Sequence, residues 1–156
     1  MRRLALTFLL LAVPGAAEAK PFTYVNARFG TVCTFPDDVF TEKQPEPDNG
    51  DGQQWLASDG ASLICSGIAN IDDETPAGYV ADQLGGDGTR REITYHKVGA
   101  NWSVLSGYQG ARIFYERRLF GRDGVIRTVS IDYPKAAKAR YDKLVGKIAA
   151  SLKAAD

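Results

Sequence analysis

The sequence predicts an α+β fold in which an antiparallel β-sheet is flanked by a middle helix and a C-terminal helix. Three observations carry this. Most of the chain beyond residue 28 consists of short runs that alternate apolar and polar residues, separated by Gly- and Asp-rich turns. One segment near the middle has a readable helix start and stop. The last twenty residues carry a stripe of helical period. Strands joined by short turns lie antiparallel, and helices set apart from a run of strands pack on the faces of the sheet they form.

The elements follow in order. Residues 1–19 read as a cleaved secretory signal: Arg2 and Arg3, an apolar run over 4–13, Pro14-Gly15, and the small-x-small site Ala17-Glu18-Ala19. A single α+β domain over 20–156 is expected to remain. In "YVNARFGTVCTFP", Phe29, Thr31, Cys33 and Phe35 alternate with Gly30, Val32 and Thr34, which reads as a strand closed by Pro36. The Pro- and Gly-rich stretch 37–52 reads as a loop. Strands near 53–57 and 62–68 flank Ser58-Asp59-Gly60, a strong hairpin signal. Next comes a helix with Thr75 as N-cap and Pro76 at its first position. Asp72, Asp73 and Glu74 sit at its positive end, and Tyr79, Val80 and Leu84 form its apolar face. Gly85-Gly86 ends it, by the left-handed cap usual for glycine. "EITYHKV", "NWSVLSG", "ARIFYERRLF" and "VIRTVSIDYP" then form a four-strand meander, turning at Gly99-Ala100 and over 121–124. A helix over 134–152 closes the chain, with Tyr141, Leu144, Val145, Ile148 and Leu152 on one face.

The stretch "ARFGTVCTFPDDVF" resembles the opening of Mog1/PsbP-like domains, where a strand pair leads into a P-x-x-W/F corner; here the aromatic is Phe40, one position further from Pro36 than in that pattern. The order of elements is similar too. The resemblance implies an α/β/α sandwich and a non-enzymatic accessory or assembly role. It carries over no catalytic residues.

The chain has two cysteines, Cys33 and Cys65. In the oxidising periplasm that the signal implies, they are expected to pair. Such a crosslink is worth roughly 3–4 kcal/mol in the chain-entropy model. If the hairpin lies beside the first strand, Cys65 reaches Cys33. Net charge is +0, but the signs are segregated. Acids dominate from Asp37 to Asp87, with Lys43 the one base, and bases dominate from Arg90 onward. Folding either mixes the two halves or leaves a bipolar surface that steers a charged partner.

Several motifs invite chemistry. "GGDGT" at 85–89 is the signature of diacylglycerol-kinase and NAD-kinase sites, where it leads into a helix N-terminus. Here it follows a helix and precedes a strand, so it reads as punctuation. "DNGDG" at 48–52 fits no EF-hand frame. The alternatives are an irregular calcium site from Asp48, Asn49 and Asp51, or a tight turn. His96 is the one histidine; Ser103 and Ser106 lie on the next strand, but no G-x-S-x-G elbow occurs. With two cysteines and one histidine, no CxxC or HxxxH metal spacing exists. Arg112, Arg117, Arg118, Arg122 and Arg127 cluster along the last hairpin; those that share a face would suit an acidic partner or anionic headgroups. Trp55, Tyr95, Trp102, Tyr108, Phe114, Tyr115 and Phe120 are expected mostly in the core, a minority lining a groove between sheet and helix.

The sequence therefore points to an exported, periplasmic, non-enzymatic binding or assembly module acting through its surface, with no cofactor. The partner expected is an envelope protein or anionic surface, not nucleic acid. The alternatives are a carrier of a small ligand or lipid with a pocket between sheet and helix, and a small hydrolase using His96.

Overall fold

The structure, a computed structural model, describes residues 20–86 and 91–156. The signal segment 1–19 and residues 87–90, which include the last three positions of the glycine motif, lie outside the described residues. The architecture is two antiparallel sheets and a few short helices. A three-stranded sheet has the order β1-β2-β10, from β1 (Pro21–Val25), β2 (Thr31–Pro36) and β10 (Lys153–Ala154). A seven-stranded sheet runs β3-β4-β5-β9-β8-β7-β6. Its strands are β3 (Glu42–Lys43), β4 (Gly52–Leu56), β5 (Ser62–Ala69), β6 (Glu92–Val98), β7 (Trp102–Gln109), β8 (Arg112–Phe120) and β9 (Val125–Pro134). The predicted hairpin is β4–β5 and the predicted meander is β6 to β9. Two strands the sequence reading left out, β1 and β10, complete the small sheet, and β3 forms inside the expected loop.

The large sheet buries both faces in different ways. Its inner face presents Trp55, Leu63, Cys65, Ile113, Val129, Ile131 and Tyr133 to Cys33, Phe35, Phe40, Tyr141, Val145 and Ile148 from the small sheet and the C-terminal helices. Its outer face presents Leu105, Phe114, Phe120 and Ile126 to Tyr79 and Val80 of helix α1 (Pro76–Gly85). Helices on one side and helices plus a small sheet on the other make this a layered α+β fold.

Cys33 and Cys65 stand at disulfide-bonding distance, with Cα atoms 6.3 Å apart, and neither is exposed to solvent. They link the two sheets face to face: β2 lies over β5, in the other sheet, rather than beside it. The reason is that β2 and β5 both bury residues toward a common layer. Gly67 lets the layers close, because a Cβ there would fall 2.6 Å from Phe29 Cβ and from Thr31 Oγ1. Arg127, 4% exposed, ties the same corner. Its guanidinium donates to the Phe29 carbonyl at 2.9 Å and pairs with Asp123.

Helix α1 begins as predicted, with the Thr75 hydroxyl accepting from the Gly78 N–H at 3.1 Å. Leu84 is 48% exposed and does not join Tyr79 and Val80 in the core. Gly86 ends the helix in extended backbone (φ −60°), not in the left-handed cap expected, while its N–H still reaches the Asp82 carbonyl at 3.0 Å. The predicted C-terminal helix is broken into a 3₁₀ turn (Lys135–Ala137), α2 (Lys138–Tyr141) and α3 (Val145–Ala150). At the break the Leu144 N–H bonds the Tyr141 carbonyl three residues back. Tyr141 itself is fixed from both sides: its ring stacks on Tyr133 at 4.8 Å and its hydroxyl donates to Asp59 at 2.9 Å. The predicted stripe survives the break, with Tyr141, Val145, Ile148 and Leu152 buried and Leu144 half-buried.

Candidate binding cleft

Toward β6 the inner face runs out from under the C-terminal helices. A cleft of about 250 Å³ opens there. Its floor is set by register. Tyr95 lies opposite Ser106, Ser106 opposite Tyr115, Tyr108 opposite Ile113, and Ile113 opposite Tyr133. Cross-strand partners project to one side, so Tyr95, Tyr108, Tyr115 and Tyr133 line one concave surface. Lys138, Asp142 and Val145 form the wall. Lys135 holds its ammonium 4.3 Å from the centre of the Tyr108 ring. Further along the same face, Arg117 and Lys97 lie 5.0 and 5.8 Å from the Trp102 ring.

The cleft is polar at its rim and aromatic at its base. Burial pushes the Tyr133 hydroxyl up to about 12, helped by Asp142, Tyr108 and Tyr115. Burial also raises Tyr115, reinforced by Tyr95 and opposed by Arg117. These two phenols are therefore neutral donors at physiological pH. The Lys138 ammonium is raised by its hydrogen bond to Asp142 and by the Asp142 charge. Rings with hydroxyl tips beside cations suit an amphipathic or acidic ligand surface.

A second polar cluster lies under α1. The Tyr79 hydroxyl donates to Glu116, which is 6% exposed. Arg118 Nε donates to the same carboxylate at 3.1 Å, Arg118 Nη1 stands 3.4 Å from Glu74, and the guanidinium lies 3.6 Å from the centre of the Tyr79 ring. Arg91 approaches Glu116 at 3.6 Å. Burial, followed by the Glu116 charge, drives the Tyr79 pKa upward. Each charge here has an opposite neighbour, so the cluster fastens α1 to the sheet and presents no open face.

The five arginines of the last hairpin do not share a surface. Strand alternation sends Arg117 and Arg127 to the inner face and Arg112 and Arg118 to the outer. Arg112 pairs with Asp132 and donates to the Gly60 carbonyl, and Arg118 and Arg127 are held as above. Arg122 is exposed in the turn. Arg117 is the one of the five beside the cleft face. Asp48 is exposed; Asn49 donates its side-chain amide to Asp51 at 2.8 Å, and the Gly50 N–H bonds the Pro47 carbonyl, a turn closed on itself. His96 is exposed on the outer face opposite Leu105, whereas Ser106 faces the cleft and donates to the Phe114 carbonyl. Ser103 Oγ is buried without a hydrogen-bond partner among the described residues. No serine–histidine couple is assembled among the described residues. The two charge halves meet in ion pairs of Asp59 with Arg140 and Glu74 with Arg118. Tyr133, Lys138 and Asp142 were missed in the sequence. The findable signal was alternation: Tyr133 follows Ile131 by two residues on the buried side of β9.

No protein-family model matches the chain, and a search of curated proteins finds no match. Solved structures do match in fold. The solution structure of cyanobacterial PsbP (CyanoP) from Synechocystis sp. PCC 6803 superposes with a TM-score of 0.58 at 14% identity, over 93% of this chain and 98% of that one. The crystal structure of the Saccharomyces cerevisiae Ran-binding protein Mog1p gives 0.59 at 12% identity, over 89% and 97%. The chain has a Mog1/PsbP-like fold. No helix among the described residues is long and apolar enough to cross a membrane, and a cysteine pair at bonding distance fits an extracellular or periplasmic setting.

Proposed function

We propose that this chain is an exported, non-enzymatic binding module of the bacterial envelope, and that it takes its partner protein in the tyrosine-lined cleft. The observation that carries this is the convergence of Tyr95, Tyr108, Tyr115 and Tyr133 on one open concave surface bordered by Lys135 and Lys138. Aromatic residues with polar tips are what protein interfaces use as anchors. A protein of the same fold is named for binding Ran, which supports protein recognition as a use of this scaffold and says nothing of which protein. Export rests on the sequence of residues 1–19, and cleavage is checked by the mass of the protein recovered from the periplasm. The binding reading is tested by placing a photo-crosslinking amino acid at position 108 or at position 64, on the opposite face, in cells making the protein. A discrete adduct from position 108 and none from 64 is expected. Equal or absent adducts at the two positions overturn the reading.

A second reading has its own observation. An apolar groove of about 410 Å³ runs between β2 and α3, lined by Pro21, Phe35, Pro36, Leu144 and Ile148, with Lys147 at its rim. It would suit a small amphiphile with an anionic head. Native mass spectrometry of gently purified protein reads it directly: a bound small molecule lost on Lys147→Glu, at the exposed rim, supports a carrier, and protein that is bare throughout removes it.

A further inference from the structure

The free edge of the large sheet at β6 carries an inference that does not depend on the cleft. Of the seven residues of β6, six are exposed, Tyr95 to 49% and Val98 to 42%. No described strand pairs with its free edge, while α1 packs on its outer face beside Ile93. An uncovered edge of this length is ordinarily blunted, and β6 carries two blunting devices, a bulge and a lysine. The bulge is built in. The register shifts between Ile93 and Tyr95, and a side chain at Gly107 would run into the Glu92 carbonyl.

The bulge decides what can pair with this edge. The Gly99 N–H bonds the Trp102 carbonyl, closing the β6–β7 turn. Antiparallel ladders alternate, so Lys97 and Tyr95 turn their backbone groups inward to β7, and Val98 and His96 turn theirs outward. Across the bulge, Ile93 lies opposite Gly107 and also turns outward, while Glu92, opposite Tyr108, turns inward. A regular strand spaces its outward groups by two residues. Here Ile93 and His96 are three apart, and an ordinary partner strand does not match that step. A second β6 does. With a two-fold axis between Thr94 and Tyr95, Ile93 of each copy meets His96 of the other in hydrogen-bonded register. Glu92 then faces Lys97 of the other copy, and Thr94 faces Tyr95. The faces agree as well: Glu92, Thr94, Tyr95 and Lys97 lie on the cleft side, and Ile93 and His96 on the outer side. Opposite charges directly across an antiparallel pair are stabilising, and the symmetry supplies two such pairs.

We propose that β6 is a two-fold edge-to-edge interface between two copies of this chain, with Glu92 of each copy opposite Lys97 of the other. The bulge and the lysine then reject foreign strands and admit this one. The contact is narrow, so the dimer is weak and concentration-dependent.

Sedimentation of the purified protein over a concentration series tests this. Wild type is expected to move from monomer to dimer. Glu92→Lys and Lys97→Glu should each weaken the dimer roughly ten-fold by placing like charges opposite, and the double variant should recover to within about three-fold of wild type. His96→Pro removes an outward N–H and should abolish the dimer while the thermal midpoint of the monomer holds. Wild type that stays monomeric into the millimolar range overturns the proposal. So does a dimer indifferent to both the charge swap and the proline. Loss of the position-108 crosslink leaves this inference standing, because the dimer is read in purified protein without any partner.

Discussion

The two faces of the seven-stranded sheet are made by alternate residues of the same strands, yet they are closed in different ways. The inner face is sealed by a second sheet, a cysteine pair and three short helical segments, and its layer is almost wholly apolar. The outer face is covered over β6 to β8 by the ten-residue helix α1, with Ile93 of β6 packed against the same cluster, and part of that contact is a charged group centred on Glu116. Over β4 and β5 the outer face is bare, with Ile64 and Ile68 exposed. The inner face accordingly carries the stability of the fold, and the outer face is held by a few polar attachments.

The largest effect should come from opening the inner face. Trp55, 4% exposed, packs its ring against Phe35 at 4.8 Å and Tyr24 at 5.0 Å. Trp55→Ala should cost about 3–5 kcal/mol in denaturant unfolding. A loss under about 1 kcal/mol would mean that the sheets are not packed through this ring. Next in size is the outer attachment. Arg118→Ala leaves Glu116 buried with one charged partner fewer, and should cost about 2–3 kcal/mol. Hydrogen exchange of α1 amides should speed up while β5 and β9 stay protected. Uniform loss of protection would show that the faces unfold as one unit.

The element types were legible because each rests on local chemistry: Thr75-Pro76 for the start of α1, Asp59-Gly60 for the β4–β5 turn, period two for β6 to β9. What was not legible depends on contacts far apart in sequence. Strand β1 escaped because Pro21–Val25 pairs with β2 while most of its side chains stay exposed, leaving no alternation to read. The break at residues 142–144 is imposed by Tyr141 being held between Tyr133 and Asp59, a residue 82 positions away. The cleft needed the register of three strand pairs, which no single segment contains. The split of the five arginines was foreseeable for Arg117 and Arg118, which are adjacent in a strand. The burial of Arg127 against the Phe29 carbonyl was not.

Alkaline pH separates the faces by a smaller effect. A phenol whose folded pKa is raised holds its proton more tightly folded than unfolded, so its contribution is intact below pH 10 and is lost as pH rises through the folded value. On the inner face Tyr133 sits at about 12 through burial, then the charge of Asp142. Stability should therefore be level from pH 8 to 10 and fall from 10 toward 12. Tyr133→Phe, which keeps the ring stacked on Tyr141, should make that fall shallower. An unchanged slope in the variant would leave the alkaline loss to the other raised phenols, Tyr79 of the outer cluster, held up by burial and Glu116, and Tyr141 of the inner face, held up by burial and its hydrogen bond to Asp59.

The smallest expected effect is the sharpest comparison, because it uses neighbours in one strand. Leu63 points inward and is fully buried, whereas Ile64 points outward and is 38% exposed. Leu63→Ala should cost about 2–5 kcal/mol through lost transfer energy and the cavity left behind. Ile64→Thr keeps the β-branched shape that suits a strand and replaces an ethyl arm that solvent already reaches by a hydroxyl, so it should shift stability by no more than about 0.5 kcal/mol. A cost at Ile64 approaching that at Leu63 would mean that the bare half of the outer face is covered in the protein in solution. That cover is not the β6 dimer, which leaves β5 four strands away from its axis, so the charge-swap variants at residues 92 and 97 should leave the cost at Ile64 unchanged.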